Sequence, residues 1–274
     1  MHNVTTGEES IAIGYQAAYY NSGSNSVSIG SYAGMVNGAG SNVSIGFRAG
    51  STSTGGSNTA IGASAIRYLN AGNENTAIGN TAGSYLLGTQ TTIVGSQAGR
   101  FASGSYNTFM GYKAGYGGTT SAPYSSGENN VALGTEALQG FTTGHSNVAV
   151  GKSALGSLTT GDYTTAVGLA AGSNVTTGRF NTFYGYNAGG NSNASHVVAI
   201  GYNVYGSGAS NKSYGVYIGS NAGRYDTSGE STIAIGYNAV ACDSGGGNNP
   251  SSCIGIGINA LSGIDGQARS NIGV

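Results

Sequence analysis

The feature that most restricts this chain is a short motif, apolar–small–Ile–Gly–x–x–Ala–Gly, which returns from one end to the other. Its central glycines are Gly14, Gly30, Gly46, Gly62, Gly79, Gly95, Gly111, Gly134, Gly151, Gly168, Gly185, Gly201, Gly219, Gly236, Gly257 and Gly273. Most steps between them are 16 or 17 residues, with 18 before Gly219, 23 before Gly134 and 21 before Gly257. A period of that length marks a stacked repeat, in which one copy buries its apolar face only against its neighbours. No apolar stripe at helical spacing appears, and Gly and β-branched residues dominate, so each copy is expected to hold two short strands and two turns. The expected fold is all-β, a repetitive parallel β-roll or solenoid of about sixteen coils, running through residues 1–274 as one continuous repeat domain. With coils about 4.8 Å apart, the whole makes a rod on the order of 75 Å long.

Each position in the motif has a physical reading. In the segment N-V-S-I-G (Asn42 to Gly46), Val43 and Ile45 share one strand face and Ser44 takes the other. The residue before the glycine is apolar in nearly every copy, with Tyr184 the exception. The expected repeat core is therefore Ile13, Ile29, Ile45, Ile61, Ile78, Ile200, Ile218 and Ile235. Three residues past the glycine comes Ala in fourteen of fifteen complete copies, with Val204 the substitute. Ala17, Ala33 and Ala49 accordingly mark a second layer where only a methyl group fits. The glycine itself predicts a bend or a close backbone approach. Asn42, Asn58, Asn75, Asn107, Asn130, Asn147 and Asn181 recur four residues before it, predicting an Asn ladder beside the turns.

Composition removes several classes of function. Gly makes up 52 of 274 residues and charged residues 7%. Such bias usually signals disorder, but here the apolar residues keep strict order. Nine Lys and Arg are scattered singly at a net charge of −1, so there is no basic stripe for nucleic acid. No apolar run approaches the roughly 18 residues of a membrane span. The opening MHNVTTGEES has neither the basic nor the apolar region of a secretory signal. The chain reads as a segment of a longer fibre protein.

One coil has a thin core, and its strand is small or apolar on both faces. A strand of that kind is covered on both faces, one cover being the same coil and the other a neighbouring chain. Homo-oligomerisation is the expectation that follows. The segments Asn75 to Gly83 (N-T-A-I-G-N-T-A-G) and Ser10 to Ala18 (S-I-A-I-G-Y-Q-A-A) carry a resemblance. They resemble the shaft repeats of phage tail fibres and of fibre proteins that end in an endosialidase-type chaperone. They are also similar to the head repeats of trimeric autotransporter adhesins of the YadA type. The resemblance covers essentially the whole chain and implies a left-handed roll assembled as an intertwined homotrimer. It further implies an extracellular or virion-tail fibre that mediates attachment to a host cell or surface. Its expected partners are itself, possible end-to-end stacking into a filament included, and a glycan or protein receptor on a cell surface. An autotransporter-type adhesin head is the alternative; an ice-binding solenoid or a glycan-degrading fibre fits less well.

Two insertions break the period, near 116–129 and 242–253. Insertions in solenoids form loops on one face, often the binding face, which makes Pro123, Tyr124, Asp243, Asn248 and Asn249 candidates for surface recognition. Cys242 and Cys253 bracket the second insertion. A disulfide there would close a loop of about twelve residues, contribute on the order of 2–3 kcal/mol, and fit an oxidising setting. The alternative is two free thiols, with Cys253 filling a small repeat position.

Catalytic signals are weak. Gly151-Lys152-Ser153 mimics the end of a phosphate-binding loop, but Ser146 stands where the motif needs glycine. Gly255 to Ala260 matches G-x-G-x-x-A without a surrounding βαβ unit. The three His have no metal spacing, and the ten acidic residues are scattered over turns. No catalysis and no cofactor are expected. Nineteen Tyr, several just after the repeat glycine (Tyr15, Tyr112, Tyr186, Tyr202, Tyr237), serve either as sugar-stacking surface or as packing between coils.

Overall fold

The structure is a computed structural model that describes residues 9–69, 72–190, 193–205, 213–224, 226, 231–240, 253–262 and 271–273. Two compact units divide the chain, Met1–Thr143 and Gly144–Val274. The first holds β1 (Ile11–Ile13), β2 (Tyr20–Asn21), β3 (Val27–Ile29), β4 (Val36–Asn37), β5 (Val43–Ile45), β6 (Thr52–Ser53), β7 (Thr59–Ile61), β8 (Tyr68–Leu69), β9 (Thr76–Ile78), β10 (Thr92–Val94), β11 (Thr108–Met110) and β12 (Val131–Leu133). The second holds β13 (Val148–Val150), β14 (Thr165–Val167), β15 (Thr182–Tyr184), β16 (Val198–Ile200), β17 (Val216–Ile218), β18 (Ile233–Ile235), β19 (Cys253–Ile256) and β20 (Asn271–Gly273).

Each unit is a parallel β-solenoid. In the first, β1, β3, β5, β7, β9, β10, β11 and β12 form one parallel ladder, and the shorter β2, β4, β6 and β8 form another. In the second, β13 to β20 form a single parallel ladder. Every one of the sixteen motif copies supplies a strand, yet the turns number about 13, with a repeat of about 17 residues. The expected count of about sixteen coils is thus lowered to about 13 turns. Register follows the motif, Val43 lying beside Thr59 and Ile45 beside Ile61. The last copy departs from it. Ile272 lies beside Ile254 and Gly273 beside Gly255, two residues away from the pairing that the motif predicts. A slip of two leaves each side chain on its own face, so the ladder tolerates it.

The repeat glycine sits where the turns approach most closely. In the fifteen copies from Gly14 to Gly257 its φ lies between 123° and 138°, a region closed to other residues. Three further positions in the coil are left-handed, as at Ser57, Ser64 and Ile66: five residues before the repeat glycine and two after it, neither of them glycine in any described copy, and four after it, where glycine and other residues both occur. These corners let about 17 residues close a turn.

The asparagine four residues before the glycine is buried and ties adjacent turns together. The side-chain carbonyl of Asn42 accepts the backbone N–H of Asn58 (2.9 Å), that of Asn58 the N–H of Asn75 (3.0 Å), and that of Asn75 the N–H of Thr91 (3.0 Å). The amide of Asn42 donates to the Gly55 carbonyl (3.0 Å), and that of Asn58 to the Gly72 carbonyl (2.9 Å). In the second unit Asn181 does the same with the N–H of Val197 and the carbonyl of Ala194.

The core differs from the one expected. The aliphatic residue before the glycine points out of the coil, and the middle residue of the strand points in. Ile13 is 59% exposed, while Ile78 and Ile200 are exposed and Ile29, Ile45, Ile61, Ile218 and Ile235 half-buried. Inside lie Ala60, Ala77, Ile93, Phe109, Ala132, Ala149, Ala166, Phe183, Ala199, Tyr217 and Ala234. Of the expected second layer, Ala33 and Ala49 are fully buried and Ala17 half-buried. The reason is geometric: the inside of a coil is too narrow for an aliphatic side chain from every position, and strand alternation sends the residues either side of the inner one outward.

In eight coils inner volume is balanced between that middle residue and the one six positions on. Where the strand offers Ala60, Ala132, Ala149, Ala199 or Ala234, the later position holds Ile66, Leu138, Leu155, Tyr205 or Val240, all buried. Where the strand offers Phe109, Phe183 or Tyr217, the later position is Gly115, Gly189 or Gly223, and a Cβ added there would strike that coil's own ring. Close packing demands such pairing. Phe109→Ala is expected to cost about 3–5 kcal/mol through the cavity it leaves. Adding Gly115→Leu to that variant should recover part of the loss, with a coupling energy of about 1–3 kcal/mol in a double-mutant cycle read by urea denaturation.

Candidate functional site

Four surfaces are built by stacking like positions, and they are the candidates for function. The first is the outer face of the long ladder in each unit. None of its sixteen strands contains a Lys, Arg, Asp or Glu. Its outward residues include Ile11 at 52% exposure and Met110 at 49% in the first unit, and Tyr184 at 59% in the second. An uncharged stripe of this kind is a candidate interaction face.

The second surface is a column of rings in the second unit, carried by the left-handed corner five residues before the glycine. Tyr163 and Phe180 stack at 5.1 Å, Phe180 and His196 at 5.0 Å, and His196 and Tyr214 at 4.9 Å. His145 meets Tyr163 edge-on. Beneath the column the buried Asp162 accepts the His145 backbone N–H (3.0 Å) and lies 3.3 Å from the Arg179 guanidinium. That carboxylate is held by its neighbours and faces no second acid. Ring faces in the column are turned on one another, so they pack adjacent coils together. The same holds for Tyr186 and Tyr202, stacked at 5.1 Å.

The third surface contains the first insertion. Tyr68, Tyr85 and Phe101 stack at 5.0 and 5.2 Å, with Arg67 over the Tyr68 ring and Arg100 over the Phe101 ring. The insertion folds back onto this stack. Ser125 bridges to Ala102 in parallel, and the Tyr124 ring lies 4.8 Å from that of Tyr85. Tyr124 is thus half-buried as the anchor of its loop, while Pro123 next to it is exposed. Tyr68, Tyr85 and Phe101 each sit six residues past a repeat glycine, a spacing that could have revealed the stack from the sequence.

The fourth is a polar cleft in the first unit, lined by Asn73, Glu74, Thr89, Gln90 and Tyr106 and of about 210 Å³. Nothing in the repeat pattern marks it, because its residues occupy the most variable corner of the coil.

The remaining candidates from the sequence are placed as follows. Cys253 is buried on β19. Cys242, Asp243, Asn248 and Asn249 lie outside the described residues. Asp226 is buried and accepts the Tyr217 hydroxyl proton at 2.8 Å. Burial, reinforced by the nearby Asp226 charge, holds the Tyr217 phenol well above its ordinary pKa, so it stays a neutral donor. Among the described residues no three His, Cys, Asp or Glu side chains converge on a metal-sized site, and no helix is long and apolar enough to cross a membrane.

Known proteins add no name to these surfaces. The chain matches no family model and no curated protein.

Proposed function

We propose that this chain is a structural element of an attachment fibre, outside the cell or on a virion tail, that self-associates through the outer face of its long ladders and performs no chemistry. The observation that carries the reading is the ladder of eight uncharged strands within each unit, whose aliphatic side chains point outward. Left in water, such a stripe invites uncontrolled association; covered by further copies of the same chain it becomes an interface. Each copy presents the same stripe, so rotational symmetry closes the contact. Three chains about one axis is the arrangement that the fibre resemblance implies. The carboxylates described in detail, Asp162 and Asp226, are held by structural partners, which fits a binding role better than acid–base catalysis.

Light scattering on the full chain tests self-association. The wild type is expected to be oligomeric at micromolar concentration. The triple variant Ile29→Lys, Ile45→Lys, Ile61→Lys is expected to dissociate to monomer while keeping its β-type circular dichroism, because its new charges point outward. A folded wild-type monomer would sink the proposal.

A further inference from the structure

We propose that the cleft formed by Asn73, Glu74, Thr89, Gln90 and Tyr106 binds one neutral sugar ring of a cell-surface glycan. The inference rests on the attachment reading above and names the place and the ligand class. The cleft spans three stacked turns. Asn73 and Glu74 come from one, Thr89 and Gln90 from the next, and Tyr106 from the third. At about 210 Å³ it lies below the roughly 300–1,000 Å³ of pockets for drug-sized ligands, a size for a single ring.

Its chemistry points the same way. Tyr106 is 53% exposed, and the equivalent corners of the turns on either side carry Gln90 and Asn129 instead of rings. It therefore escapes the ring-on-ring stacking that occupies Tyr163, Phe180, His196 and Tyr214 at the same corner of the second unit. A ring wall of this kind suits the C–H face of a pyranose. The Gln90 amide donates to Glu74 Oε2 at 2.8 Å, which holds the carboxylate in place and leaves its other oxygen to accept a hydroxyl proton. Backbone bonds fix the frame: Gln90 N–H to the Asn73 carbonyl at 3.0 Å, and Tyr106 N–H to the Thr89 carbonyl at 3.0 Å. The Asn73 side-chain carbonyl accepts the Gly56 N–H at 2.8 Å, so that side chain too is oriented. Charge sets the class. The ion pairs among the described residues lie at Asp162, so no cation offsets Glu74, and an anionic sugar is repelled.

Saturation-transfer NMR on the full chain provides the test, with methyl glucoside, galactoside and mannoside, N-acetylglucosamine and glucuronate as probes. At least one neutral probe is expected to show transfer and glucuronate none. Tyr106→Ala should weaken that signal about tenfold, and Tyr106→Phe should keep it, because the ring face is what matters. Glu74→Gln should admit glucuronate. Both side chains are exposed, so melting temperatures should not move. Absence of transfer from every neutral probe would overturn the assignment, as would transfer that survives Tyr106→Ala. A change of oligomeric state in Tyr106→Ala would also overturn it, by making the cleft a contact between copies. Binding of the whole chain to cells that persists in Tyr106→Ala would remove the cleft and leave the attachment reading standing.

Discussion

Gly95→Ala is expected to destabilise the first unit by about 3–5 kcal/mol, from a strained backbone and a forced displacement of the neighbouring turn together. Gly95 has φ of 135°, and a Cβ built on it would lie 2.5 Å from the carbonyl oxygen of Gly111 and 2.8 Å from its carbonyl carbon. Both neighbours in that contact are backbone, so no side chain can swing aside. The same glycine repeats in every turn, which means that relief by sliding one turn would only pass the clash to the next. The contrast is Ser64→Gly, at a left-handed corner two residues past Gly62 where a side chain is already accommodated. That change should stay within about 1 kcal/mol. Urea denaturation of the two variants checks the pair of expectations, and equal effects would mean that the turns are not in backbone contact at the glycine.

Asn75→Ala should rank close behind, at about 2–5 kcal/mol, because it strands two buried groups at once. Asn75 is fully buried. Its side-chain carbonyl accepts the Thr91 N–H at 3.0 Å, and its amide donates to the Gly88 carbonyl at 2.9 Å and to Asn58 Oδ1 at 3.1 Å. Alanine leaves the Thr91 donor and the Gly88 acceptor without those partners, in a space too tight for ready entry of water. Asn75→Asp tests the amide separately from the carbonyl. It keeps an acceptor for Thr91 but turns an oxygen toward Gly88 and Asn58, so it should be at least as damaging near neutral pH. Hydrogen exchange at the Thr91 amide gives a local readout, and protection that survives in the alanine variant would refute the role assigned to the ladder.

Much of this architecture was legible in the sequence because the repeat is local. The glycine period marks the strands, the recurrent asparagine marks the ladder, and Ala33 and Ala49 mark crowded positions. Ile13 and Ile78 mislead, because large aliphatic residues suggest a core and these two are exposed. Hydrophobicity does not say which side of a two-faced strand closes the coil. The size of Ala60 and Ala132, set against Ile66 and Leu138, does say so, since small residues face large ones across a narrow interior. Tyr124 is a candidate for surface recognition by sequence, and its packing on Tyr85 is not legible without knowing that Tyr85 and Phe101 form a surface stack. The cleft at Tyr106 is not legible for another reason: it draws residues from three turns at a corner whose residue type changes from copy to copy.

The pairing of inner residues, Phe109 with Gly115 or Ala132 with Leu138, has a consequence for how such a chain changes over generations. The two partners lie six residues apart in one coil, so a duplication copies both and a coil can be gained or lost whole. A single substitution at either partner is penalised until the other follows. Related chains should therefore vary at these two positions in concert, large for small, while the glycine between them stays constant. That joint variation would identify the coil boundaries in a new sequence even where the Ile-Gly signature has worn away.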